Sequence, residues 1–147
     1  LSIIACGSSD QSGGTDSAGQ TASGGLTADQ LRNGIGPIRS VALEDLNSEL
    51  ASTGEAIFQT KCSACHKFDA RYVGPALGDV LDRRSPEFIM NMMLNPAEMV
   101  EKHPEVKALL AQFLTPMPNQ NLTEADARAV LEYLRAEAAG GEESETN

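Results

Sequence analysis

Cys62, Cys65 and His66 are the residues of this chain whose types and spacing could do the most chemistry. They stand in the run Cys62-Ser63-Ala64-Cys65-His66. Two thiols and an imidazole at this spacing read as a covalent attachment site for haem of the c type. Thiols three residues apart on a helical turn can each form a thioether to one of the two porphyrin vinyl groups. The adjacent imidazole is then held under the ring, where one nitrogen can bind iron. Two other uses of a Cys-x-x-Cys pair fit less well. A thioredoxin-like pair wants a βαβ setting, and a structural zinc site wants four Cys or His, of which this run supplies three.

The elements that must position these side chains read as helices. From Asn47 onward, Leu50, Gly54, Ile57 and Phe58 lead with helical spacing into Cys62. Gly74, Pro75 and Gly78 mark a loop. Ser85-Pro86 reads as an N-cap followed by proline at the first helical position, with i,i+4 pairs from Phe88, Ile89, Met92 and Met93 behind it and Phe88, Ile89, Met92 and Leu94 as candidate pocket or core residues. That helix should end near Asn95-Pro96, and a short one follows over about Glu98–Lys102. Pro104 can open another, with Val106, Leu109, Leu110 and Phe113 on one face. Thr115-Pro116-Met117-Pro118-Asn119 is a loop stiffened by two prolines. Thr123 caps the last helix, with Ala127, Val130, Leu131 and Leu134 inward, and Gly140-Gly141 should stop it. No strand pattern and no repeat is visible, so the expected class is all-α.

Composition bounds the function. The 147 residues suffice for one domain with tails, and no Trp is present. A bound porphyrin would supply the large flat apolar body that such a core lacks. The net charge of −10 argues against nucleic acid, which demands a basic face. Residues 60–115 hold seven basic and seven acidic side chains, whereas residues 1–59 and 116–147 each hold two basic and seven acidic. The region around the Cys-x-x-Cys-His run is therefore neutral and its flanks are acidic.

The N-terminal region reads as three pieces. Leu1–Ala5 followed by Cys6-Gly7 looks like the end of a bacterial lipoprotein signal peptide, so residues 1–5 would be a signal remnant and Cys6 a lipid-modified anchor. Residues 6–25 form the anchor site and a flexible linker, since 7–25 contain only Gly, Ser, Thr, Gln, Ala and Asp. Such a linker spans about 25 Å on average and at most ~65 Å. Residues 26–46 are an extension. Thr27 should cap a short helix through about Asn33, Gly34, Gly36 and Pro37 should break it, and Ile35, Ile38, Val41, Leu43 and Leu46 should pack on the main domain. That domain is 47–138, and 139–147 is an acidic tail. No apolar run reaches the ~18 residues of a membrane span.

Residues 47–138 resemble a class I c-type cytochrome. Gly54, Phe58, Cys62, Cys65 and His66 match that family's N-terminal helix, Gly74-Pro75 its loop under the proximal histidine, Met117 its distal ligand, and Val130, Tyr133 and Leu134 its C-terminal helix. The whole chain is similar to lipid-anchored bacterial monohaem cytochromes c. The resemblance implies a fold of three to five helices around one covalently bound haem c, with an N-terminal extension. It implies His66 and Met117 as axial ligands, and the carbonyl of Pro75 as the acceptor that orients the His66 ring. Gly74 would let the backbone approach that ring. Met90, Met92, Met93 and Met99 sit at helical spacings that favour core filling over ligation, and His103 reads as a solvent-facing helix boundary. Tyr72, Arg83 and Arg84 are candidates for binding the haem propionates.

The function implied is electron carriage without catalysis, because iron ligated on both faces has no open site. Expected partners are a quinol-oxidising complex as donor, a terminal haem-copper oxidase or other reductase as acceptor, and the membrane through lipid on Cys6. The location would be the periplasmic side of the cell membrane, and the chain a monomer. Ala64, Lys67 and Pro118, beside the exposed haem edge, are candidates for a docking patch. Two alternatives remain. One is a haem enzyme or sensor with an open distal side, peroxidase-like, which would need His103 near the iron. The other is a module of a larger complex.

Overall fold

The structure, a computed structural model, describes residues 21–22 and 25–144. The signal remnant, Cys6 and most of the linker therefore lie outside the described residues, as does the end of the acidic tail. Among the described residues seven helices follow one another: α1 (Ala28–Asn33), α2 (Ser48–Lys61), α3 (Val80–Arg83), α4 (Pro86–Leu94), α5 (Pro96–Lys102), α6 (Pro104–Phe113) and α7 (Glu124–Ser144). Five of them, α2 and α4 to α7, build the main domain; α1 belongs to the extension and α3 is a single turn. No described helix is long and apolar enough to cross a membrane.

The helix starts follow local chemistry. Thr27 and Gln30 form a reciprocal capping box on α1, the Asn47 side chain accepts from Leu50 N–H, and Ser85 accepts from Phe88 N–H with Pro86 behind it. Thr123 and Asp126 likewise exchange bonds at the start of α7. Each cap satisfies N–H groups that the first turn leaves without partners.

Two features differ from the sequence expectation. Helix α7 continues through Gly140-Gly141 to Ser144. Glycine in a helix interior costs only about 1 kcal/mol against alanine, and Ala136, Ala138 and Ala139 precede the pair. A short antiparallel pairing also joins β1 (Thr21–Ala22) to β2 (Leu26–Thr27), inside what reads as linker and helix cap. Strands of two residues are too short to show alternation.

Helices α2 and α7 cross where Gly54 meets the backbone of α7. A Cβ at Gly54 would lie 1.9 Å from the Ala129 carbonyl oxygen. Around this crossing Phe58, Phe68 and Tyr133 pack edge and face, with centroids 5.1 to 5.7 Å apart. Ile89, Met90 and Met93 of α4 and Val130, Leu131 and Leu134 of α7 complete this core.

A second core lies between the extension and α4–α6, built from Leu26, Ile35, Phe88, Met99 and Val106. The extension is fastened there by side chains that reach its backbone. Fully buried Asn91 accepts from Ile38 N–H at 2.9 Å and donates to the carbonyls of Asn33 and Ile38. Glu87 accepts from Val41 N–H, and Asn95 donates to the Ile35 carbonyl. Ile35, Ile38 and Val41 thus pack as the spacing suggests. Leu43 and Leu46 do not: each is 45 % exposed, although the backbone beside them is bonded to α7.

Glu132 of α7 is fully buried and closes the other end of the extension. Its carboxylate accepts from Asn47 N–H at 2.9 Å and from Arg128 and Arg135, while Arg135 also donates to the Glu44 carbonyl. Burial by itself pushes the Glu132 carboxyl up, but these donors together more than offset it and hold the group below its ordinary value. The folded value being the lower one, this stabilisation is complete above the unfolded glutamate value of about 4.3 and is lost as pH falls through the folded value. Glu132→Gln should therefore cost about 3 kcal/mol at neutral pH, the scale of breaking a buried ion pair. The gap to the wild type should close below about pH 4, as read from urea unfolding across pH. A gap that persists in acid would exclude the charge as its source.

Candidate functional site

Helix α2 ends at Cys62, whose N–H donates to the Phe58 carbonyl. The next residues make one further turn, with Cys65 and His66 N–H both donating to the Cys62 carbonyl at 3.0 and 2.9 Å. Cys62, Cys65 and His66 are thereby wound into one short segment. The following loop is folded back on it. Gly74 N–H donates to the Cys65 carbonyl, and Leu77 and Gly78 N–H donate to the Lys67 and Phe68 carbonyls.

This return places Pro75 against the imidazole. His66 Nδ1 lies 3.0 Å from the Pro75 carbonyl oxygen. A carbonyl can only accept, so Nδ1 carries the proton and Nε2 is left with its lone pair for a metal. Nε2 makes no hydrogen bond among the described residues. Gly74 backs the same ring: a Cβ there would sit 2.5 Å from Cε1. Gly74→Ala should accordingly turn the ring and weaken the Pro75 bond, at about 1–3 kcal/mol of stability. The exchange-protected Nδ1 proton should be lost from the NMR spectrum; its retention with unchanged stability would show that the ring has room.

Cys62, Cys65 and His66 open onto an apolar cleft, which Met117 also lines. It holds about 1330 Å³ free of protein atoms, its open mouth included. Its walls are apolar, from Phe88, Ile89, Met92 and Met93 of α4, the α6 face of Val106, Leu109, Leu110 and Phe113, and Val130 and Leu134 of α7. Met117 arrives on the loop after α6, where Leu114 turns the chain at φ 56° and Pro116 and Pro118 flank the thioether. Lys61 Nζ donates to the Gln120 carbonyl at 3.0 Å and so ties the methionine loop to the end of α2 beside Cys62. Sequence spacing gave no sign of this tie, since the partners lie 59 residues apart.

Both thiols are free. Burial pushes the Cys62 thiol up, Lys61 offsets part of this, and the neighbouring Cys65 adds to it. A nucleophilic redox pair needs the opposite shift. The other charges lining the cleft are all cations: Lys61, Arg83 and Arg84, with no carboxylate among the lining residues. Free thiols, an imidazole with an open nitrogen, a thioether, apolar walls and a cationic rim together fit a flat apolar iron cofactor bearing carboxylates.

The remaining expected site residues divide. Arg83 and Arg84 line the cleft, but each already has an acid partner, Asp79 for Arg83 and Glu105 for Arg84. The Arg83 bond holds the Asp79 carboxyl below its ordinary value. Tyr72 lies outside the lining and is 58 % exposed, with Lys67 Nζ 5.3 Å from its ring centre. Its backbone, not its hydroxyl, serves the site, donating to the Gly74 carbonyl.

His103 is the clear correction. It stands at a helix boundary between α5 and α6, as read, but it is fully buried and not solvent-facing. Its Nε2–H donates to the Leu31 carbonyl of the extension at 3.0 Å, and the ring packs edge-on against Phe88. It does not line the cleft. The acceptor lies 72 residues away in the chain, so no local pattern marks the ring as buried.

Comparison with known proteins agrees with this geometry. The family model for cytochrome c matches residues 51–137. The solved structure of a cytochrome c from Rhodothermus marinus is 46 % identical, covers 76 % of this chain and 97 % of its own, and superposes with a TM-score of 0.73. Cytochrome c-551 of Stutzerimonas stutzeri is 31 % identical over 86 residues, 58 % of this chain and 77 % of that protein. A cytochrome c-553-like protein of Synechocystis is 36 % identical over 69 residues, 44 % of this chain and 66 % of that protein. The match therefore spans the Cys-x-x-Cys-His turn, the proline loop, the methionine loop and the crossing of α2 with α7, and the chain belongs to the cytochrome c family, as a monohaem electron carrier of class I with covalently bound haem c and histidine–methionine ligation.

Proposed function

We propose that this chain shuttles single electrons between membrane respiratory complexes, from a quinol-oxidising donor to a terminal haem-copper oxidase, as a monomer tethered to the periplasmic face of the membrane by lipid on Cys6. The observation that carries the redox part is the meeting in one cleft of the Cys62–His66 turn and Met117, with the His66 ring already oriented by Pro75. Cys62 and Cys65 hold the porphyrin by thioethers, and His66 Nε2 and Met117 Sδ are the iron ligands. Bound there, haem c supplies a one-electron couple at iron. The chain's part is to keep both ligands in place through both oxidation states. Pro75 fixes the imidazole, while Pro116, Pro118 and the Lys61–Gln120 tie restrain the thioether. Arg83 and Arg84, which line the cleft, are the donors we assign to the propionates; Tyr72 lies outside that lining.

Ala64, Lys67 and Pro118 are exposed and flank this turn and the methionine loop, which suits them to a partner's approach. The buried position of His103 removes the distal acid–base residue that a peroxidase-like site would need. The absence of a predominantly basic surface, at net charge −10, favours acceptors that do not rely on a strongly acidic dock.

The test uses isolated membranes of the source organism. Reduced protein should be oxidised rapidly, and an inhibitor of the haem-copper oxidase should block this. Oxidation blocked only by an inhibitor of another reductase would reassign the acceptor. Sedimentation of the full-length protein with membranes, lost in Cys6→Ser, would be expected of the anchor; equal sedimentation of both would remove it.

A further inference from the structure

We propose that Glu105, at the start of α6, sets the redox potential of this protein by neutralising Arg84. The inference rests on the reading that the cleft holds the haem with Arg84 in its wall. Arg84 follows α3 and is the one lining cation fixed by an acid from a distant element. Its guanidinium pairs with the Glu105 carboxylate and lies 4.9 Å from the ring centre of Phe88, which also lines the cleft. The Arg84 side chain is 24 % exposed and that of Glu105 49 %. The arginine therefore sits at the margin of the cleft, and the acid stands behind it toward solvent, outside the lining.

The other lining cations differ. Arg83 pairs with Asp79 four residues before it, on a more open surface, and also donates to the Ala76 carbonyl. Lys61 donates to a carbonyl and has no acid partner among the described residues. Neighbouring Val106 faces the cleft while Glu105 does not, so α6 places an apolar wall and a charge regulator on consecutive residues.

The electrostatic consequence has a definite sign. Oxidised iron carries one more positive charge than reduced iron, so a cation in the wall favours the reduced state. Glu105 cancels most of the Arg84 field and favours the oxidised state. It also holds the guanidinium at the cleft margin, an influence that passes through Arg84 and adds to the carboxylate's own field. Glu105 is a positioning residue in this sense and does not touch the cofactor.

The test is a spectroelectrochemical titration of the holoprotein in four forms: wild type, Glu105→Gln, Arg84→Gln and the double variant. Glu105→Gln should raise the reduced-to-oxidised ratio at a fixed ambient potential roughly fourfold, the scale of a unit charge about 10 Å away in a partly solvated site. Arg84→Gln should lower it. In the Arg84→Gln background, Glu105→Gln should still raise the ratio through loss of its own field, but by less, because no guanidinium is released. An unchanged ratio in Glu105→Gln overturns the proposal. So does an equal rise in both backgrounds, which would mean a direct field of the carboxylate without Arg84. If Arg84→Gln alone has no effect, the placement of Arg84 beside the haem falls too. Failure of the His66–Met117 assignment is read separately, from the ferric spectrum of the wild type.

Discussion

Gly54→Ala is expected to lower stability by at least about 3 kcal/mol, since the added methyl meets backbone and not a side chain that could turn away. The cause is the crossing of α2 and α7, where the new Cβ would lie 1.9 Å from the Ala129 carbonyl oxygen, 2.4 Å from its carbon and 2.9 Å from the Val130 nitrogen. One of the two helices must move. Phe58, Val130, Tyr133 and Leu134 would lose their fit together, because they pack on either side of that crossing. For a domain of this size the loss amounts to roughly 15 °C in the unfolding midpoint. Calorimetry of the holoprotein checks it. The ferric spectrum of the molecules that remain folded should be unchanged, because Gly54 acts on the scaffold and not on iron. An unshifted midpoint would mean that the helices are further apart than described.

Met117→Ala is expected to act in the opposite way, on the iron first. The weak thioether–iron charge-transfer band of the ferric protein should vanish and a high-spin signature should replace it. The potential should fall, because a methionine opposite histidine raises it, and carbon monoxide should bind the reduced protein. Stability should fall by only about 2 kcal/mol, since Met117 is a half-buried neighbour of the main core. His103→Gln provides the contrast. It removes the ring packing on Phe88 and replaces the imidazole donor to Leu31 by a more flexible amide, so it should cost stability while leaving the charge-transfer band in place. Retention of the band in Met117→Ala, with its loss in His103→Gln, would reverse the ligand assignment.

The two variants separate what could be read in the chain from what could not. The attachment turn was legible because its chemistry is local: two thiols and an imidazole within five residues need only one helical turn to converge. The capping residues Thr27, Ser85 and Thr123 were legible for the same reason, each bonding within three residues. Pro75 and Met117 entered through resemblance, and the structure places both where that resemblance implies, one on the His66 ring and one in the cleft wall. The stop at Gly140-Gly141 failed because a glycine pair only weakens a helix unless the chain also takes a left-handed cap. Tyr72 lies outside the cleft lining, and residue type alone does not say which way a loop side chain turns.

By itself, then, the sequence determined the local part of this protein: the thioether-forming turn, the starts of its helices, the amphipathic face of α6 and the class of cofactor they serve. Tertiary structure alone decided which distant groups meet. Asn91 holds Ile38 across 53 residues, His103 holds Leu31 across 72, and Glu132 holds Asn47 across 85. None of these pairs follows a helical period, so nothing in the order of residues marks them. They form because a polar group carried into the core by its helix must find a partner there or bear the full cost of desolvation. Glu105 also meets Arg84 from a separate element, but at the partly solvated margin of the cleft, which is where the geometry adds to the family's chemistry.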